Sequence, residues 1–413
     1  MAVKIKKVGK KLQSILIPAL SEEAKIKRKL RVHLKDLGYT KNTSGQLVPP
    51  DLTKAGIRCL HAQHRIERLT DSQKFLEKNA EKCLRYFASG NEINPLNIQP
   101  RLELVDTELQ SAIFRTASLT WSVPVSVGYG RRMRFLVWDD SIEKLIGIFA
   151  LGDPVFNLRV RDNYIGWDHI QRKTMLANMM DAYVLGAVPP YNMLLGGKMV
   201  ASLIRSAEVE THFSRKYRDA IGVISNERKK PRLTAVTTTS SMGKSSIYNR
   251  LRLGGTQIFK PIGYTAGWGH FHIPDDLFVD MRDYLANKGH RYASNHQFGD
   301  GPNWRLRTVR AALKELKINE DILCHGISRE VFICELAENA TSFLQGRDKK
   351  PKFCLPSTRE IANLALERWV IPRAERRQEY LHWRKEQIYS LLETTRSNAK
   401  IKPLPERLCL LGR

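Results

Sequence analysis

The segment from Asp181 to Arg205 reads as a strand, a break and a helix in direct succession, which confines the chain to folds in which a sheet strand hands over to a packed helix. Ala182 to Val188 is a short apolar run rich in β-forming residues. Pro189 and Pro190 have no amide hydrogen to give a sheet ladder, so the strand must stop or splay there. From about Leu194 the apolar residues Leu195, Met199, Leu203 and Val200, Ile204 recur at helical spacing. Gly196 and Gly197 fall in the first turn of that helix. Two readings are open: the glycines permit close helix–sheet packing, or they let an anion approach a helix N-terminus, beside Lys198 and Asn192.

With 413 residues the chain is long enough to form two or more domains. Its 68 basic against 42 acidic residues give a formal charge of +26, a field that attracts polyanions, and nucleic acid, DNA in the first place, is the expected partner. An anionic membrane surface is the weaker alternative because no lipidation signal or juxtamembrane anchor accompanies the charge. No apolar run approaches the roughly 18 residues that cross a bilayer, and residues 14–20 are too short and Pro-broken for a signal-peptide core. The expected location is therefore the cytoplasm. Cys59, Cys83, Cys324, Cys334, Cys354 and Cys409 contain no CxxC pair and read as reduced packing residues.

Residues 1–100 read as a basic, helical N-terminal region. Lys6, Lys7, Lys10 and Lys11 begin a dense run of cations suited to phosphate, and helical spacing follows from Leu52 to Ser89. Residues 101–345 read as a central α/β domain. There, 134–138 and 145–151 form an expected hairpin, Asp168 an expected cap of a helix through Met180, and 232–239, 257–263 and 268–273 further strands. A helix is expected over 275–288, and the loop 295–304 should open a basic helix through Arg305, Arg307 and Arg310. Residues 346–413 read as a basic helical tail, aromatic-rich from Trp369 through Arg376 and Arg377 to Trp383. The fold class expected is α/β, of the α+β kind: a central mixed sheet with interleaved helices, flanked by the two basic helical regions.

Several constellations could carry chemistry. Ser241 to Ser246 follows a strand, but a P-loop needs glycine where Thr238 stands, so an NTPase is rejected; Lys244, Ser246, Asn249 and Arg250 could still face an anion. His270 and His272, two apart on the expected strand, would share one side and could ligate a metal with Asp275, Asp276, His290 or His296, although nothing local fixes a third ligand; two hydrogen-bonded histidines are the plainer reading. Asp162, held near Arg159 and Arg161, could serve as a base or could form an internal salt bridge. Trp304 with Arg305 and Arg307 would suit base stacking and phosphate contact, or Trp304 anchors a core.

The segments 149–156 (FALGDPVF), 161–168 (RDNYIGWD), 189–202 (PPYNMLLGGKMVAS) and 299–304 (GDGPNW), in that order, resemble the DruA family of the Druantia anti-phage system over roughly residues 130–345. The resemblance implies a bacterial antiviral defence component acting with other proteins of its operon, including a large helicase-like partner. More distantly, the hairpin, the Pro-disrupted strand and the Gly-bearing helix are similar to the acyl-CoA site of GNAT acyltransferases, which implies a GNAT-like sheet with Gly196, Gly197 and Lys198 at the cofactor phosphates and Asp162 or His270 as base. The pattern of Gln or Arg, two residues, Gly, one residue, Gly or Ala is broken here, because Met193 precedes Gly196 and Lys198 follows Gly197.

The leading expectation is thus a defence-system subunit whose basic regions engage nucleic acid, with no cofactor or metal assigned. The alternatives are an acyltransferase-like enzyme that modifies nucleic acid and an assembly scaffold for an acidic protein partner.

Overall fold

The computed structural model describes residues 2–8, 11–17, 20–43, 45–126, 128, 130–219, 221, 228, 230–293 and 304–393. Two compact units divide the chain, Met1–Asp51 with Gly267–Ile327 and Leu52–Ala266 with Ser328–Arg413.

In the first unit, Ala2–Val8 and Lys11–Ile17 pair as an antiparallel hairpin in place of the expected helix. The reason is in the sequence, where lysine alternates with valine and isoleucine from Val3 to Lys6 at the period of a strand. A helix follows over Glu22–Asp36, capped by the Ser21 hydroxyl accepting from the Ala24 amide, with Glu22 and Glu23 at its start and His33 and Lys35 at its end. Its buried stripe is Ile26, Leu30 and Leu34, four residues apart. Helices Asp275–Asn287 and Trp304–Glu315 agree with their expected spans and pack on each other. Of residues 268–273, expected as a strand, Trp268 makes an isolated antiparallel bridge to Cys324 and the rest form bends and a turn. At Gly267 φ is +68° and a Cβ would lie 3.2 Å from the backbone of Gly326 and Ile327, so the chain bends where a strand would have run on.

The second unit is built on one seven-stranded mixed sheet: β1 (Pro100–Leu104), β2 (Arg132–Asp139), β3 (Lys144–Gly152), β4 (Met179–Ala187), β5 (Ala235–Thr239), β6 (Lys260–Tyr264) and β7 (Glu330–Glu335). Their order across the sheet is β6-β7-β5-β4-β3-β2-β1, and every neighbouring pair is antiparallel except β4 with β5. The expected hairpin is β2 with β3; Phe135 stands opposite Phe149 and their rings stack at 4.7 Å. Alternation along these strands sends Met133, Phe135, Val137 and Phe149 to one face and Leu136, Trp138, Ile148 and Ala150 to the other.

Helices cover both faces. The first face receives α3 (Gly196–Ser202), α4 (Ala207–Tyr217) and α5 (Thr358–Ala365), and the second receives α1 (Glu108–Leu119), whose Ile113, Phe114 and Ala117 join Leu136 and Ile148. A further helix, α2 (Arg159–Ile165), leads to Asp168, which caps Gln171 as expected. The helix that Asp168 caps, His169–Met175, ends short of Met180 because β4 begins at Met179. The mixed α/β class expected from the sequence is what the chain adopts. Among the described residues no helix is long and apolar enough to cross a membrane.

Candidate nucleic-acid interface

The parallel strands β4 and β5 pair over three residues only, Met179–Asp181 against Ala235–Thr237. Beyond Ala187 the chain passes Pro189 and Pro190 and turns into α3 through Leu195, whose φ is +61°. The loop is tightly self-bonded. The amides of Asn192, Met193 and Leu194 donate to the carbonyls of Val188, Pro190 and Tyr191, and the amide of Gly196 donates to Tyr191 at 2.8 Å. A Cβ on Gly196 would lie 2.7 Å from that same carbonyl oxygen, so glycine is required here by a close approach of backbone. Lys198 donates its amide to Leu195, and the space beside Gly197 is taken by the Ile247 side chain, 3.8 Å from where its Cβ would be. Close packing accounts for Gly196, and these amides bond within the chain, so none of them faces an anion.

What the loop does offer is side-chain charge. Lys198 is half-buried with its ammonium 5.3 Å from the ring centre of buried Trp369. Burial, then the nearby cations Arg250 and Arg368, lower its pKa. Arg250 and Arg368 are both exposed. Asn192 is exposed on the same loop, where Arg373 donates to the Met193 carbonyl at 3.1 Å. The structure therefore gathers the suspected anion-binding loop and the basic C-terminal stretch, some 170 residues apart in sequence, around one indole. Arg376 is exposed, with its Nε on the Pro372 carbonyl, and Arg377 pairs with Glu379. Arg368 was not singled out in the sequence; its signal is adjacency to Trp369 in a basic, aromatic stretch.

The constellation at Asp162 has a different character. Arg161 has no exposed surface, and it holds one Asp162 oxygen at 2.6 and 2.9 Å while Arg172 holds the other at 2.9 Å. Arg161 also donates to the carbonyls of Val155 and Phe156. Both carboxylate oxygens are engaged in a buried cross-brace, the internal salt bridge weighed from the sequence. Arg159 lies exposed on α2.

A carboxyl that the sequence did not mark stands on the neighbouring strand. Asp181 accepts from the Thr237 hydroxyl at 2.7 Å across the β4–β5 pair, and burial pushes its pKa up to about 6 against the opposing effects of Thr237 and Arg161. No sequence motif announced it, because its burial depends on how the sheet assembles.

In the same unit, Asn249 donates to Glu330 at 2.8 Å and Ser246 accepts from Lys54 at 3.4 Å, while other suspected residues lie in the first unit. Trp304 packs edge-on to Phe278 at 5.2 Å, which is the core-anchor reading. Arg305 pairs with Asp275, donates to the Ile273 carbonyl and lies over the Phe278 ring; Arg310 pairs with Glu320 at 2.9 Å. Arg307 is half-buried on the same helix. His270 lies in the turn 268–273, where its carbonyl accepts from Ile273, and His272 is buried with Nε2 against the Ile322 carbonyl. Burial lowers the His272 pKa to about 4. Among the described residues no group of three His, Cys, Asp or Glu could hold a metal; His296 lies outside them. Lys6, Lys7 and Lys11 lie on the two N-terminal strands, and Lys10 lies outside the described residues.

Comparison with known proteins follows the same lines. Residues 51–346 match the family model described as Druantia protein DruA. Over 381 residues the chain is 54% identical to the Druantia protein DruA of Escherichia coli (strain UMEA 4076-1), covering 92% of this chain and 94% of that one. No solved structure matches. On the extent of both matches, this chain belongs to the Druantia DruA family.

Proposed function

We propose that this chain is the component of its Druantia system that engages nucleic acid, most readily DNA, gripping the phosphate backbone through cations and acting with other proteins of its operon, a helicase-like protein among them. Membership of the DruA family makes it a component of a Druantia anti-phage system. The observation that carries the nucleic-acid reading is Lys198 over the Trp369 ring with the cations Arg250 and Arg368 near enough to lower its pKa, like charges that raise one another's electrostatic energy in a chain of charge +26. Polyanion phosphates would relieve that repulsion and release counterions, which is the main source of sequence-independent affinity for DNA.

The test is binding of the purified, nuclease-treated chain to labelled DNA, beside a Lys198→Gln, Arg250→Gln, Arg368→Gln triple variant. About a tenfold or greater loss in the variant at unchanged melting temperature supports the reading. Equal binding of wild type and variant removes this cluster from the interface, and no binding by wild type to any nucleic acid, with operon partners still captured, would leave the scaffold reading in its place.

A further inference from the structure

We propose that an open cleft of about 520 Å³ at the start of β2, lined by Arg132, Arg134, Lys216 and Tyr217, is a built phosphate-binding site, distinct from the cluster at Lys198.

The cleft has a fixed floor. Gly130 has φ +64°, and a Cβ there would lie 2.0 Å from an Asp153 oxygen, so only glycine lets that carboxylate come in. Asp153 accepts from the Arg131 amide at 3.0 Å and from its guanidinium at 2.7 Å. The other Arg131 nitrogens donate to the carbonyls of Ala177 and Met179. Asp153 and Arg131 thus neutralise each other and fix the chain at the entry to β2.

The wall comes from the end of α4. The Tyr217 hydroxyl bonds both the amide and the carbonyl of Arg132 at 2.9 Å, and Lys216 donates to the same carbonyl at 3.0 Å. Arg132 and Arg134 are two apart on β2 and so leave the strand on one side. Arg134 is positioned by one bond to the Ser111 hydroxyl at 3.2 Å and by the Phe114 ring beneath it. Among the described residues that bond engages one of its nitrogens and leaves the rest of the guanidinium fork for an acceptor.

Arg132, Arg134 and Lys216 therefore line one hollow, and the carboxylate of its floor, Asp153, is engaged by Arg131. The crowding is visible in Lys216, whose pKa is lowered by burial, by Arg134 and by Arg132 in that order. An anion with several acceptor oxygens would relieve it, and a guanidinium fork fits phosphate oxygens better than any neutral ligand. A cleft of this volume lies within the range of small-ligand sites. The shared chemistry is a phosphate group, which a nucleic-acid strand or a free nucleotide could bring; the strand as source rests on the nucleic-acid reading above.

The experiment uses the full chain, its Lys216→Gln variant and its Arg134→Gln, Lys216→Gln double variant, with melting temperature as the check on folding. Protection of Lys216 from acetylation is read by mass spectrometry with inorganic pyrophosphate, ATP or a labelled oligothymidine, and oligonucleotide affinity is read separately. Protection by pyrophosphate and oligonucleotide, with a loss of affinity of about tenfold in the double variant, supports a strand phosphate in the cleft. Protection by pyrophosphate or ATP, but none by oligonucleotide and no oligonucleotide binding, keeps the site and overturns the nucleic-acid reading. Oligonucleotide binding with Lys216 unprotected by all three and the variants unchanged overturns the site while that reading stands. Should the double variant not fold, Lys216→Gln decides, because Lys216 is exposed and its hydrogen bond among the described residues is to a backbone carbonyl.

Discussion

The Tyr191 hydroxyl donates to Asp139 at 2.8 Å in the interior of the second unit. Asp139 ends β2, and its other oxygen accepts from the amides of Gln99 and Ser141 and the hydroxyl of Ser141. Tyr191 belongs to the loop that follows β4, and its carbonyl holds the Gly196 amide. One side chain thus ties the start of α3, and with it Lys198, to the turn between β2 and β3. Burial and the facing carboxylate push the Tyr191 hydroxyl far above its ordinary pKa, so it stays a donor.

Replacing Tyr191 by phenylalanine keeps the packing and removes that donor from a buried carboxylate. The expected cost is about 1–3 kcal/mol of unfolding free energy. Denaturant melts of the two proteins measure it, and a variant as stable as wild type would show that the bond is not what holds the loop.

Asp162→Asn leaves Arg161 buried without its counter-charge. Removing one partner of a buried pair costs about 3–5 kcal/mol, so this variant should melt well below wild type. Asp162→Asn melting with wild type while losing activity in a phage-protection assay would contradict the bracing role and favour the catalytic one.

Asp181 and His61 give opposite pH signatures. The Asp181 carboxyl sits at about 6 in the fold, above its unfolded value, so its charging weakens the fold as pH rises from 4 through 6. Asp181→Asn, which keeps an acceptor for Thr237, should be more stable than wild type at pH 7.5 by about 1–3 kcal/mol, with the gain gone at pH 4. His61 is 4% exposed, and burial, then Arg329, lower its pKa to about 3. The unfolded chain takes that proton first, so stability falls as pH drops below 6.5. Melting curves of wild type, Asp181→Asn and His61→Gln from pH 4 to 8 read both signs; a flat Asp181→Asn difference, or a His61→Gln difference that does not shrink toward acid pH, would contradict them.

How much of this was legible depends on the range of the interactions. The β2–β3 hairpin and the passage from β4 into α3 were readable because apolar runs and prolines act within a few residues. The turn at 268–273 was misread as a strand because its alternation looks extended, while the constraint on Gly267 comes from the distant backbone of Gly326 and Ile327. Asp162 was visible, but whether it braces or reacts turns on Arg172, ten residues on, reaching its second oxygen. Arg132 and Arg134 passed unnoticed because they open an apolar strand, and only the end of α4 turns them into the wall of a cleft.

The most direct measurement is the affinity of the purified chain for duplex and single-stranded DNA across a salt series. Contact with several phosphates predicts that log K falls linearly with log salt, with a slope of about −0.9 for each phosphate engaged on duplex and −0.7 on single strands. A slope steeper than about −3, reduced in the Lys198, Arg250, Arg368 triple variant, is the result the account predicts. Weak binding to both forms at low salt, or a slope near zero, would contradict it.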